Sequence, residues 1–127
     1  MKYTIDYIPD ENFLNVKLEG RLNFKLAEKI SKEAVKSARE NLCSRFLIDH
    51  SETETESGVY KLHASGEELE EFGFQKSDKI AFIIAKHARK NDLPTSTSEH
   101  NKWPLVKFFT STNIQKAIDW LKETREE

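Results

Sequence analysis

Lys79-Ile80-Ala81-Phe82-Ile83-Ile84-Ala85 is apolar almost without alternation, and its reading decides the fold. A strand with one wet face alternates apolar and polar side chains. A continuous apolar run of this length fits a strand covered on both faces, in the middle of a sheet flanked by helices. Arg45-Phe46-Leu47-Ile48-Asp49 upstream is a second short apolar run and reads as a buried strand ending at Asp49. Leu105-Val106-Lys107-Phe108-Phe109 downstream reads as the last strand.

Towards the N-terminus the pattern has a period of two. Tyr3, Ile5 and Tyr7 alternate with Thr4 and Asp6, and Leu14, Val16 and Leu18 alternate with Asn15, Lys17 and Glu19. Pro9-Asp10-Glu11-Asn12 between them is turn chemistry, so the two runs form an antiparallel hairpin that Gly20 ends. From Phe24 to Leu42 the spacing lengthens to three and four. Leu26, Ala27, Ile30, Ala34, Val35, Ala38 and Leu42 form one helical stripe, with Asn23 as its N-cap. Lys25, Lys29, Lys32, Lys36 and Arg39 lie on the remaining surface among Glu28, Glu33 and Glu40. A solvated helix face is the expected reading, with docking of an anionic partner as the alternative.

Between the inner strands the pattern is more polar. Ser51 to Glu56 reads as a loop leading into a helix around Ser57 to His63. A second short helix follows, because Ser65 with Glu68 forms a capping box and Gly73 is a natural stop. Lys86 to Trp103, rich in Ser and Thr and closed by Pro104, reads as a long loop. Thr112 with Gln115 forms another capping box, and Ile114, Ala117, Ile118 and Leu121 give the last helix its buried stripe. The order is β-β-α-β-α-β-β-α, an α/β fold with a mixed five-stranded sheet and helices packed on it. No repeat or linker divides residues 1–127, so a single domain is expected.

Composition narrows the functional classes. A formal charge of −2 argues against bulk nucleic acid as a partner, since phosphate binding calls for a basic excess. The apolar run from Ile80 to Ala85 is too short for stable membrane insertion. Cys43 is the one cysteine, so no internal disulfide forms, which suits a reducing compartment. Met1 to Asp6 lacks the apolar core of a signal peptide, and a cytoplasmic location is expected.

Asp49-His50-Ser51 contains the residue types of a hydrolase triad. Neighbours on a strand point to opposite faces, however, and a triad needs convergence. His50 is expected to be an ordinary loop histidine, or else to line a pocket at the strand's C-terminal end. His50, His63, His87 and His100 have no second ligand at metal spacing, and no glycine-rich phosphate loop occurs, so no metal and no cofactor are expected. Lys86, His87, Arg89 and Lys90, with Lys102 and Trp103, are either a charged loop or an anion site with an aromatic wall. Such a site would suit a small anionic or lipid-like ligand.

The element order resembles that of the STAS domains, in particular the SpoIIAA-like proteins related to bacterial anti-sigma-factor antagonists. The motifs that carry the resemblance are Val16-Lys17-Leu18-Glu19-Gly20, Phe46-Leu47-Ile48-Asp49, Ser57-Gly58-Val59, Lys79-Ile80-Ala81, and Lys107-Phe108-Phe109 followed by Ala117-Ile118-Asp119-Trp120-Leu121. It implies a non-enzymatic regulatory module with a phosphorylation switch at Ser57, the serine preceding Gly58 at a helix N-terminus. Backbone N–H groups and the helix dipole favour a phosphate there. Glu56, Glu52 and Glu54 depart from the small polar surroundings usual in antagonists and would oppose it by like-charge repulsion. The expected partner is another protein or a second copy of the chain, met through the edge of the third strand and the Ser57 helix. Asp49, His50, Ser51, Gly58, Lys86, Arg89 and Trp103 are the candidate partner or ligand surface. The alternative is a small-molecule or lipid-binding site between residues 49–56 and 86–103.

Overall fold

Residues 2–55, 70–75, 77–84 and 105–123 are described by the computed structural model. Lys2–Ile8 (β1) and Phe13–Leu22 (β2) form the expected antiparallel hairpin, with Tyr3 opposite Leu18 and Ile8 opposite Phe13. Asn12 closes the turn in left-handed backbone (φ 53°) and accepts a hydrogen bond from the Tyr7 hydroxyl at 3.0 Å. Phe24–Glu40 (α1) leads to Arg45–Thr55 (β3), and Lys79–Ile84 (β4), Val106–Thr110 (β5) and Ile114–Lys122 (α2) follow. The strands lie in chain order, β1-β2-β3-β4-β5, and every pair after the hairpin is parallel. This is an α/β fold with a five-stranded mixed sheet and, among the described residues, two α-helices.

Chain-order pairing of parallel strands constrains where the connections lie. Right-handed crossovers that all step in one direction across the sheet stay on one face. Phe72 and Phe74, which precede β4, accordingly share a core with Ala27, Ile30, Ala34 and Ala38 of α1, on the face carrying Leu14, Val16, Leu18, Phe46, Ile48, Ile80, Phe82 and Val106. Phe46 meets Phe74 edge-on, with ring centroids 5.0 Å apart. Among the described residues α2 follows β5 and folds back over the opposite face. Its Ala117 and Leu121 pack there with Phe13, Leu47, Ala81 and Ile83. All six residues of β4 are buried, which accounts for its unbroken apolar sequence.

The helix ends show how local chemistry seats α1. Asn23 caps its start by accepting from the Leu26 N–H at 2.9 Å, as the sequence implies. At the other end the Cys43 N–H reaches Ala38 O at 2.8 Å and the Leu42 N–H reaches Arg39 O at 3.2 Å, a Schellman closure. Leu42 is therefore not part of the buried stripe. It occupies the left-handed position (φ 53°) and is 93% exposed. Arg39 ties this end to the chain before β4, donating to Cys43 O at 3.1 Å and to the fully buried Asp78 carboxylate at 2.6 Å. The same Asp78 oxygen accepts from the Gln75 N–H at 2.8 Å.

Two further expectations change. The last helix has no Thr112–Gln115 capping box. A 3-10 turn occupies Ser111–Asn113, Asn113 makes no side-chain cap, and Gln115 donates to Asp119 at 3.0 Å instead. β3 does not yield to a loop at Ser51 but continues to Thr55, because β2 continues beside it to Leu22 rather than ending at Gly20. Glu70 and Glu71 are helical and Gly73 has φ 102°, in keeping with a helix stopped there. The expected helix over residues 57–63, the Ser65 cap and the segment 86–103 lie outside the described residues.

Candidate functional site

The carboxyl end of the parallel strands is where open α/β sheets bind ligands. Here β3 departs from regular pairing. Lys17 faces Asp49 and Glu19 faces Glu52, so two steps along β2 match three along β3. The extra residue is a β-bulge in the Asp49-His50-Ser51 stretch, and a bulge leaves backbone groups without ladder partners. Side chains supply them. Asp49 accepts from the Ser51 N–H at 2.8 Å, and the Thr53 hydroxyl donates to His50 O at 2.7 Å.

His50 turns to the face covered by α1. It is 2% exposed and its ring lies over Phe82 with centroids 5.9 Å apart. With Ser31, Ile30, Leu18 and Leu22 it borders a void of about 10 Å³, at the lower limit for a single water. No ligand fits between α1 and the sheet there. Asp49 shares its strand parity with Leu47, on the α2 face, so Asp49 and His50 diverge as expected for strand neighbours. His50 is a core residue rather than a loop residue or a pocket lining. Ser51 is half-buried beside them.

The same end of the sheet carries other polar groups. Thr110, paired with Ile84, has its hydroxyl 2.9 Å from that of Thr112 and accepts from the Asn113 amide at 3.2 Å. On the far side an open concavity of about 450 Å³ is lined by Lys2, Tyr3, Thr4, Lys17 and Glu19. Its lining carries two lysines and one carboxylate, with Lys2 opposite Glu19 and Thr4 opposite Lys17 in the β1–β2 register. Lys2, Thr4, Lys17 and Glu19 are outward positions of alternating strands, which in the sequence look like ordinary solvated residues. Their signal was that Lys2, Thr4 and Lys17 share one face of the hairpin.

The structure thus brings Asp49, His50 and Ser51 together in the bulge without aiming them at a common point. Ser57, Gly58, Lys86, Arg89 and Trp103 lie outside the described residues. Among the described residues no cluster of His, Cys, Asp or Glu is arranged to hold a metal ion. No described helix is long and apolar enough to cross a membrane. No protein-family model, curated protein or solved structure matches this chain.

Proposed function

We propose that the chain is a cytoplasmic regulatory module of the SpoIIAA-like type, which binds a protein partner at the carboxyl end of β3 and has no catalytic role. The observation that carries this reading is the bulge. The three residues with triad chemistry serve architecture: Asp49 holds the bulge, His50 fills the core, and Ser51 supplies a backbone donor. The β3–β4 ladder is described only as far as Asp49 opposite Ile83, whereas β2–β3 pairing runs on to Leu22 opposite Thr55. That arm ends two residues before Ser57 and presents exposed Glu19 and Glu52. Its partner would be a basic protein surface, and phosphate on Ser57 would add roughly two negative charges next to it.

The concavity at Lys2 and Lys17 favours a second reading, a domain that binds a small anionic or lipid-like ligand. Mass spectrometry of the protein purified from its own cells, run native and then denatured, separates the two. The regulatory reading expects a phosphate mapped to Ser57 and no mass lost on denaturation. A small molecule released on denaturation, with Ser57 unmodified, would transfer the function to the concavity. An unmodified chain carrying nothing would remove the phosphorylation switch.

A further inference from the structure

Among the described residues β1 is an edge of the sheet, and Tyr3, Ile5 and Tyr7 stand half-buried on its α1 side. Edge strands present unpaired N–H and C=O groups; charged side chains such as Lys guard some of them, and prolines or bulges guard others. β1 has no proline or bulge within Lys2–Ile8, and its pairing with β2 is regular throughout. We infer that β1 pairs with β1 of a second copy of this chain, antiparallel about a two-fold axis through Thr4, joining two sheets into one. The proposal does not depend on the function assigned to the β3 arm.

Charge sets this register. With Thr4 opposite its own counterpart, exposed Lys2 faces exposed Asp6 twice, and Tyr3 faces Ile5 on the apolar side. The same axis aligns α1. This helix connects the parallel strands β2 and β3, so it runs antiparallel to them and along β1. The Tyr3 hydroxyl donates to Glu33 at 2.5 Å, which levels Glu33 with Tyr3 and turns that side of the helix towards β1. One strand residue beyond Tyr3 is about 3.3 Å, or roughly two helical residues past Glu33. A two-fold axis at that level opposes Lys29 to Glu40 and Glu33 to Lys36 of the second copy. All four are exposed; at about 100° per residue Glu33 and Glu40 lean towards the β1 side, and Lys29 and Lys36 lie on the adjoining outer crest, from which only their long side chains reach across. At the level that the strand sets, the charges of α1 are opposite in sign across the same axis. An interface of this kind is isologous and closes as a dimer.

Sedimentation equilibrium of the full chain tests it. A concentration-dependent dimer is expected. Thr4→Glu places two carboxylates against each other at the axis and should abolish dimerisation. Within one chain it faces Lys17, its β2 partner, so thermal melting should be unimpaired. Lys29→Glu should weaken association about tenfold, and adding Glu40→Lys should restore it. A chain that stays monomeric up to its solubility limit overturns the proposal. So does a dimer that Thr4→Glu leaves intact, or one in which Glu40→Lys fails to rescue Lys29→Glu.

Discussion

Leu42 occupies a left-handed backbone position where helices most often place glycine, with its side chain in water. The Cβ of an L-residue is crowded there, at a cost of roughly 1–2 kcal/mol, and burial returns nothing at this site. Replacing it with glycine relieves the crowding and gives back part of the gain as chain entropy. Leu42→Gly should therefore raise the unfolding free energy by about 0.5–1 kcal/mol, read as a higher urea midpoint at unchanged slope. The sequence suggested the opposite role, because position 42 continues the three–four spacing of α1. Periodicity cannot report where the backbone leaves the helix. His50 shows the converse: a polar residue following an apolar run reads as the start of a loop, yet β3 stays extended beside β2 and the alternation that buries Phe46 and Ile48 carries His50 into the core.

At the scale of single elements, the ends are decided by partners distant in sequence. Lys79 opens β4 and is 8% exposed, and its ammonium serves α2. It donates to Trp120 O, which also accepts from the Glu123 N–H, and, at 3.2 Å, to Glu123 O, both carbonyls at the C-terminal end of the helix. It also lies 4.6 Å from the Trp120 ring centroid. Lys79→Met keeps the stem and removes the charge and donors, and should cost about 1–2 kcal/mol in thermal unfolding. Trp120 fluorescence should change with it, since the indole loses the nearer of two cations, Lys107 remaining at 5.8 Å from the ring centroid. In the sequence Lys79 looks like the polar residue that begins a strand. Its pairing with a helix more than forty residues later became visible only once α2 lay across β4.

At the scale of the whole molecule, two exposed ties among the described residues hold the hairpin to the helices. The Tyr3–Glu33 bond joins β1 to α1, and Lys122 bonds Glu11 at 2.8 Å, joining α2 to the β1–β2 turn. The hydrogen bond to Glu33, loss of water and the nearby carboxylate charge raise Tyr3 above its ordinary 10.0. The hydrogen bond and charge of Glu11 raise Lys122 above 10.5. Both groups bind their proton more tightly folded than unfolded. Their contribution is thus complete below the unfolded values and declines as pH rises through the folded ones. The urea midpoint should fall above about pH 10, and a Tyr3→Phe, Glu11→Gln variant should show a shallower alkaline decline. Ionic strength should blunt the effect, because both pairs face solvent.

The sequence by itself determined the α/β class, the five strands of the mixed sheet and the first and last helices. The unbroken run in β4, the alternation in β1 and β2, the stripe of α2 and the Asn23 cap each follow from local spacing and chemistry, and each stands in the structure. It also showed that Asp49, His50 and Ser51 could not converge, since strand neighbours face opposite ways. What only the tertiary structure decided is where elements stop and what their polar residues do. β3 runs to Thr55 because β2 lies beside it, His50 is buried because the extended strand carries it to the α1 face with Phe46 and Ile48, and Lys79 is satisfied by α2. Spacing records how a segment meets its own neighbours in the chain, whereas a boundary or a buried charge depends on partners that folding brings together from far apart.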